Sequence, residues 1–260
     1  MSTARSSERR PQLNVLMEDD HVVVVNKPAG LLSLPDRFNA ELPNVRGLLR
    51  DRYGEIFVVH RLDRETSGVM IFAKTAEAHK HLSEQFEHHT VKKLYHAIVS
   101  GIIEPDTLPI NISIGPDPRR KGLMKPTARG KAAHTVVRVV ERFRVATLVE
   151  CELITGRQHQ IRVHCAAVGH PLFVDADYGR AKEFMLSSIK RKFNLAKNTE
   201  ERPVIARVTL HAHALHVTHP TTDARMAWEA PYPKDFAATL QVLRKYAAPY
   251  ASRFDDVEFF

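Results

Sequence analysis

The sequence predicts one α+β domain, and three observations predict it. Short β-branched runs of strand length are interspersed with amphipathic stretches of helical period. Neither an internal repeat nor an interdomain linker interrupts that mixture. With 260 residues, 43% of them hydrophobic, the chain can bury a normal core and suits one large domain or two small ones.

The elements follow in order. Residues 1–12 are polar and basic without an apolar run, so they read as a flexible tail and not as a secretory signal. His21 to Val25 has the character of a strand buried on both faces. It ends at Asn26-Lys27-Pro28-Ala29-Gly30, a turn that presents Lys27 either to solvent or to a phosphate or substrate. Ile56–Val59 and Val69–Ala73 are apolar strands, and His60-Arg61-Leu62-Asp63-Arg64-Glu65-Thr66-Ser67-Gly68 joins them. Thr75 is placed to cap a helix over 76–89, with Ala78, Leu82 and Phe86 on one face. Leu94–Val99 is a strand closed by Ser100-Gly101. Tyr95 within it reads, by itself, as a core residue.

Residues 115–131 are rich in glycine and proline and read as an extended loop. From Arg119 to Lys131 there are six basic residues and no acidic one. Such a run is either a solvated face or a contact to a phosphate backbone. Strands over 133–143 and 145–154 form a hairpin turning near Phe143-Arg144. A helix is expected to begin at Arg157 and stop at Gly169. On it His159, Arg162 and Ala166 share a face that can look into a cleft. Residues 180–202, with seven Lys/Arg and three Glu, read as an insert carrying one helix near Phe184–Ile189. Strands over 206–218 and 224–229 and a helix over 234–246 complete the domain, which spans 13–250. The acidic-aromatic residues 251–260 form a tail.

The joining loop carries four charged residues, two hydroxyls and a glycine between rigid strands, a usual placement for binding and catalytic groups. Asp63 has Arg61 and Arg64 beside it. That pattern is either a salt-bridged turn or a carboxylate held ready for chemistry. The net charge of +8 points to a polyanionic partner, with nucleic acid foremost. Two cysteines cannot build a disulfide framework or a structural zinc site, which fits a reducing cytoplasm. No apolar run is long enough for a membrane helix. Among fifteen histidines, His211, His213 and His219 fall on one strand face and His216 on the other. No carboxylate accompanies them at a ligand spacing, so no metal is expected.

The loop His60–Gly68 resembles the signature loop of the RluA-type pseudouridine synthases. The likeness extends to Asn26-Lys27-Pro28-Ala29-Gly30, to Lys93-Leu94-Tyr95-His96-Ala97 and to Thr155-Gly156-Arg157-Gln158-His159-Gln160-Ile161-Arg162-Val163-His164. Gly169-His170-Pro171-Leu172 and Leu210-His211-Ala212 fit later blocks, so the resemblance covers about 14–246. It departs at Phe173-Val174, where the family usually has Gly-Asp, although Asp175 follows. It implies a mixed, mainly antiparallel sheet with flanking helices, crossed by a cleft. It also implies a cofactor-free, monomeric isomerase that converts uridine in ribosomal or transfer RNA to pseudouridine. By analogy Asp63 is the catalytic carboxylate, Tyr95 packs on the uracil, and Arg162 pairs with the aspartate. Arg61 would fill the gap left by a flipped nucleotide. His60, Leu62, Arg64, Thr66, Lys27, Arg157, His159, Arg119, Arg120 and Lys121 are expected to contact substrate or RNA. A non-catalytic RNA-binding protein on the same fold is the alternative.

Overall fold

The computed structural model describes residues 13–195 and 199–249; the expected tails at 1–12 and 251–260 lie outside the described residues. The first half comprises β1 (Asn14–Glu18), β2 (Val22–Lys27), α1 (Val45–Tyr53), β3 (Phe57–Val58), β4 (Ser67–Ala73), α2 (Ala76–Glu87) and β5 (Lys92–Ser100). Then come β6 (Thr107–Asn111), β7 (Ile114–Pro116), β8 (Met124–Pro126), β9 (His134–Arg142), β10 (Ala146–Leu153) and α3 (Gln160–Ala167). The chain closes with β11 (Leu210–Thr218), β12 (Arg225–Glu229) and α4 (Lys234–Tyr246).

Ten strands form one sheet in the order β1-β2-β4-β11-β5-β10-β9-β6, with β3 beside β4 and β12 beside β11. The fold is α+β, as the pattern of elements predicts. The β4–β11 pairing is parallel and the other pairings in this sheet are antiparallel. β4 and β11 meet only where Ser67-Gly68 faces His211-Ala212. Past that point β3 and β12 take over the two edges. Gly68 permits the contact. Its φ is +121°, and a Cβ there would lie 2.1 Å from the Ala212 carbonyl oxygen. Ser67 and Gly68 therefore open β4.

Apolar patterning explains how the layers sit. Val22 to Val25 are all fully buried, which is why β2 reads as a continuous apolar run. One core gathers β2, β4, α1 and α2, and a second gathers β5, β9, β10 and α3. A third places Phe236, Leu240 and Leu243 of α4 against Ile98 and Leu148. Tyr95 packs against the first two cores, so it stands at their junction. Thr75 caps α2 as expected, its Oγ1 accepting from the Ala78 N–H at 3.2 Å. Gly169, with φ +90°, ends α3. The Gly169 and His170 N–H groups donate to the Ala166 and Cys165 carbonyls, a Schellman closure.

Several expectations are corrected. Residues 115–131 are not a plain loop, because β7 and β8 pair into a hairpin with the basic run around its turn. The helix expected near Phe184–Ile189 is a single 3-10 turn at Leu186–Ser188. Phe184 instead bridges to Ile205 and enters the third core, which ends any helical register. Residues 196–198 of the insert lie outside the described residues. The strand expected from 206 begins at Leu210. The helix expected from Arg157 begins at Gln160, because His159 adopts a left-handed conformation with φ 55°. No helix among the described residues is long and apolar enough to cross a membrane.

Candidate active site

The loop between β3 and β4 is held from beneath by its own backbone. Lys27 is completely buried, and its Nζ donates to the carbonyls of Pro28, Leu31 and Arg64 at 2.7 to 3.0 Å. It is a tie between the early turn and the loop, not the surface contact its turn suggested. Burial pushes its pKa down to about 7, while Glu65 and Asp63 oppose the fall. Ser33 Oγ donates to the Leu62 carbonyl and accepts from the Leu62 N–H. Leu62 is thus a core anchor. Arg64 donates from Nε to the Gly30 carbonyl at 3.0 Å. From the far side, Arg207 donates to the Glu65 carbonyl at 3.3 Å while its Nε meets Asp235 of α4 at 2.6 Å. Ser67 Oγ lies 2.9 Å from His211 Nδ1, which secures the start of β4 to β11.

Above this base lies a cavity of about 570 Å³ lined by Asp63, Tyr95, His60, Arg61, Thr66, Lys93, Arg157, His159 and Arg162, among others. Leu153, Ile161 and Leu210 supply apolar wall, and Phe86 closes the α2 end. The volume is right for one nucleotide-sized ligand. A second cavity of about 260 Å³ shares Asp63, His159 and Arg162 and extends towards Lys182 and Arg207. Asp63 therefore stands on the wall between two spaces.

The group that faces the Asp63 carboxylate is His159, with Nε2 to Oδ2 at 3.8 Å. Its left-handed backbone is strained for a non-glycine residue, a condition that clusters at functional sites. Tyr178 explains its ring orientation. The Tyr178 hydroxyl oxygen accepts from the Met124 N–H at 2.7 Å, so its proton is free for His159 Nδ1 at 2.8 Å. That assignment leaves Nε2 as the protonated nitrogen directed at Asp63. Burial lowers the His159 pKa, Asp63 acts in the opposite sense, and Arg162 lowers it further. Burial and the field of Asp63 together raise the Tyr95 hydroxyl well above its ordinary value.

Arg162 does not pair with Asp63. Its Nε and Nη2 each meet Asp175 at 2.7 Å, and Nη2 also meets Asp177 at 2.7 Å. Its guanidinium also lies over the Tyr178 ring, 4.8 Å from the centroid. Asp175 is 1% exposed and takes two further backbone N–H groups, from Asp177 and Tyr178. No ion pair joins Asp63 to Arg61 or Arg64 either among the described residues.

Other predicted residues are dispersed. His60 is on the cavity wall, but its Nε2 accepts the Ile71 N–H at 3.1 Å and its ring stacks on Phe86. Burial takes its pKa down to about 3. Thr66 is buried on the cavity side with an unpartnered hydroxyl. Arg157 donates from Nε to the Ala132 carbonyl, and Gln160 fixes this turn by accepting from the Arg157 N–H and the Thr155 hydroxyl. Arg119 and Lys121 are exposed on the β7–β8 hairpin. Arg120 is committed internally to Asp117 and to the Asp177 carbonyl. His211 and His213 gather with His96 and Tyr232, whereas His219 stands apart on Asp19. No group of three or more His, Cys, Asp or Glu is arranged for a metal ion among the described residues.

Sequence reasoning missed Tyr178, Asp177, Arg207 and Asp235, none of which sits in a motif. Lys93 was legible in principle. A lysine two residues from Tyr95 on one strand must share its face.

Known proteins resemble this chain over most of its length. A family model described as RNA pseudouridylate synthase matches residues 21–167. The ribosomal large subunit pseudouridine synthase D of Nitrosomonas europaea is 38% identical over 247 residues, covering 93% of this chain and 68% of that protein. Its namesake in Pseudomonas aeruginosa is 38% identical over 242 residues, covering 90% and 72%. The solved structure of human RNA pseudouridylate synthase domain containing 1 matches with a TM-score of 0.66 at 25% identity, over 92% of this chain and 97% of that one.

Proposed function

Because the chain belongs to the RNA pseudouridylate synthase family, we propose that this cavity isomerises uridine in large-subunit ribosomal RNA, with Asp63 as the catalytic carboxylate. The relatives' names supply the ribosomal target; transfer RNA is the second reading of the substrate. The observation that carries the site assignment is that Asp63 and Tyr95 line one nucleotide-sized cavity whose remaining walls include Leu153, Ile161 and Leu210.

The chemistry follows from what the reaction needs. A base stacked in RNA cannot be cut from its sugar and turned over, so the uridine has to be extruded at a cost of a few kcal/mol. The cavity receives it between Tyr95 and the Asp63 wall. The Asp63 carboxylate then acts on the sugar or base, or stabilises the sugar cation as the glycosidic bond breaks. Detached uracil turns within the enclosure and rejoins the sugar through carbon 5. Apolar walls keep it from escaping and exclude water that would compete for the sugar. His159, whose Nε2 faces Asp63, orients the carboxylate. Arg162, held by Asp175, shapes the wall behind it. Arg61 is free to take the place of the extruded base.

The test is Asp63→Asn, which keeps side-chain shape and removes charge and nucleophilicity. Binding strength cannot replace a group that acts only on the reacting bond. The variant should bind ribosomal RNA within a few-fold of the parent and form no detectable pseudouridine. Normal turnover by the purified variant would remove the assignment and leave a non-catalytic RNA-binding protein.

A further inference from the structure

The chemistry proposed above uses a carboxylate, an aromatic ring and an arginine, yet the cavity wall carries a cation that none of these steps uses. Lys93 is 8% exposed and lines the same cavity as Asp63 and Tyr95. It precedes Tyr95 by two positions on β5, so both side chains leave the sheet on one face. No described residue forms a hydrogen bond or ion pair with its ammonium. Gly156 passes beside it, where an added Cβ would lie 3.9 Å from Nζ. His60, on the same cavity wall, is held neutral by accepting the Ile71 N–H. The Lys93 Nζ is not among the fully buried, unpartnered polar atoms of the described residues, so it faces the cavity and takes its hydrogen bonds from water while the cavity is open. Whatever fills the cavity displaces that water and has to replace those bonds.

We infer that Lys93 is a further catalytic residue, whose ammonium receives the negative charge that develops on the uracil as it leaves the sugar. The inference rests on the proposed pseudouridine synthase activity. When the C1′–N1 bond breaks heterolytically, the electron pair stays with the base. Uracil becomes an anion with its charge spread over N1, the two carbonyl oxygens and C5. The sugar carbon is left as a cation or is captured by Asp63. An ammonium donating to a uracil carbonyl gains strength as that charge grows, and relaxes when C5 bonds to C1′. The C5 proton then leaves and N1 is protonated, so Lys93 gives up no proton overall. A fixed donor aimed at developing charge in a dry site is an efficient form of transition-state stabilisation. The base enters neutral, so the ammonium meets a full counter-charge only as the glycosidic bond breaks. A backbone phosphate is the other anion in reach of such a lysine. A cavity whose walls include Leu153, Ile161 and Tyr95 favours the planar base over a hydrated phosphodiester.

The experiment compares the parent with Lys93→Met and Lys93→Arg, on an RNA carrying uridine or 5-fluorouridine at the target position. Parent turnover of the uridine RNA comes first, and its absence would sink the functional reading and not this inference alone. With an active parent, Lys93→Met should lower the single-turnover rate at saturating RNA by 100-fold or more, with affinity within threefold. Lys93→Arg should restore part of that rate. Fluorine makes the departing base more acidic, so the glycosidic-cleavage penalty of Lys93→Met should shrink with 5-fluorouridine. The variant should also resist urea about as well as the parent, because no protein group loses a partner when the ammonium is removed. A loss seen only in affinity, with a flatter salt dependence, would make Lys93 a phosphate contact and overturn the inference. So would an unchanged rate, or a loss of activity explained by lower stability.

Discussion

Replacing Asp175 by asparagine removes the charge that neutralises Arg162 while leaving the side-chain outline almost unchanged. In the native protein the carboxylate accepts both Arg162 donors at 2.7 Å and the N–H groups of Asp177 and Tyr178 at 2.9 and 3.1 Å. The amide can still accept the two backbone donors through its oxygen. It must then point an NH₂ at the Arg162 Nε, donor against donor. Breaking a buried pair on one side typically costs about 3–5 kcal/mol. Some compensation comes from Asp177, which keeps its own 2.7 Å contact to Nη2 but is 44% exposed. The expected loss is therefore about 2–4 kcal/mol, since a half-exposed partner offsets only part of the penalty. With a urea slope of roughly 2–3 kcal/mol per molar, the unfolding midpoint should fall by about 1–2 M. Arg162→Met combined with Asp175→Asn removes both charges while the amide oxygen still accepts from the Asp177 and Tyr178 N–H groups, so it should be more stable than Asp175→Asn alone, which leaves the Arg162 cation without its main partner. Equilibrium urea unfolding followed by fluorescence measures all of these. A midpoint for Asp175→Asn within 0.2 M of the parent, or a double variant no better than the single, would refute the account of Arg162 as a buried charge neutralised chiefly by Asp175.

Other consequences can be checked separately. Gly68→Ala has to place a methyl 2.1 Å from the Ala212 oxygen at φ +121°, so it should cost about 2–4 kcal/mol by urea unfolding; a change below 0.5 kcal/mol would contradict the close approach of β4 and β11. His211 is fully buried with its pKa lowered to about 4, chiefly by desolvation. Because the folded state disfavours its cation, its contribution is complete above about pH 6.5 and is lost as pH falls towards 4, about 2 kcal/mol by pH 5. His60 and His96, lowered to about 3 and about 4, act in the same sense, so unfolding midpoints should drop between pH 7.5 and 5, and His211→Gln should blunt the drop. On the basic hairpin, Arg119→Ala with Lys121→Ala should flatten the log affinity against log salt line for RNA by about 1 to 2 units. Arg120→Ala should add little, since its Nε and Nη1 are already engaged and Asp117 offsets its charge; equal effects from all three would show that this arginine is released on binding.

Much of this organisation was legible, for reasons that can be named. The Asp63 loop stood out because charged residues interrupt two apolar strands. Thr75 and Gly169 were readable because capping depends on one residue and its neighbours. What was hidden depends on distance along the chain. The partner of Arg162 lies 13 residues on, beyond any helical or strand period, and nothing local in Asp175 reveals it. Lys27 looked exposed because a Pro-Gly turn is normally a surface feature; its burial comes from Arg64, 37 residues away. α1 escaped notice because its face is short, with only Val45 and Leu49 buried. The Phe184 stretch had helical spacing but too few residues to outweigh a bridge to Ile205.

The parallel contact of β4 with β11 bears on the order of events during synthesis. Ser67 and Gly68 leave the ribosome early, while His211 and Ala212 are made 144 residues later. At about 5–20 residues per second, the Asp63 loop waits roughly 7–30 s for the strand that anchors its end. During that interval the loop has β2 on one side and no permanent neighbour on the other. A ribosome-bound chain stalled before residue 210 should therefore be inactive even though Asp63 and Tyr95 have both emerged, and activity should appear only once β11 is released. Activity towards RNA should thus wait for β11, however much of the chain before it has already folded.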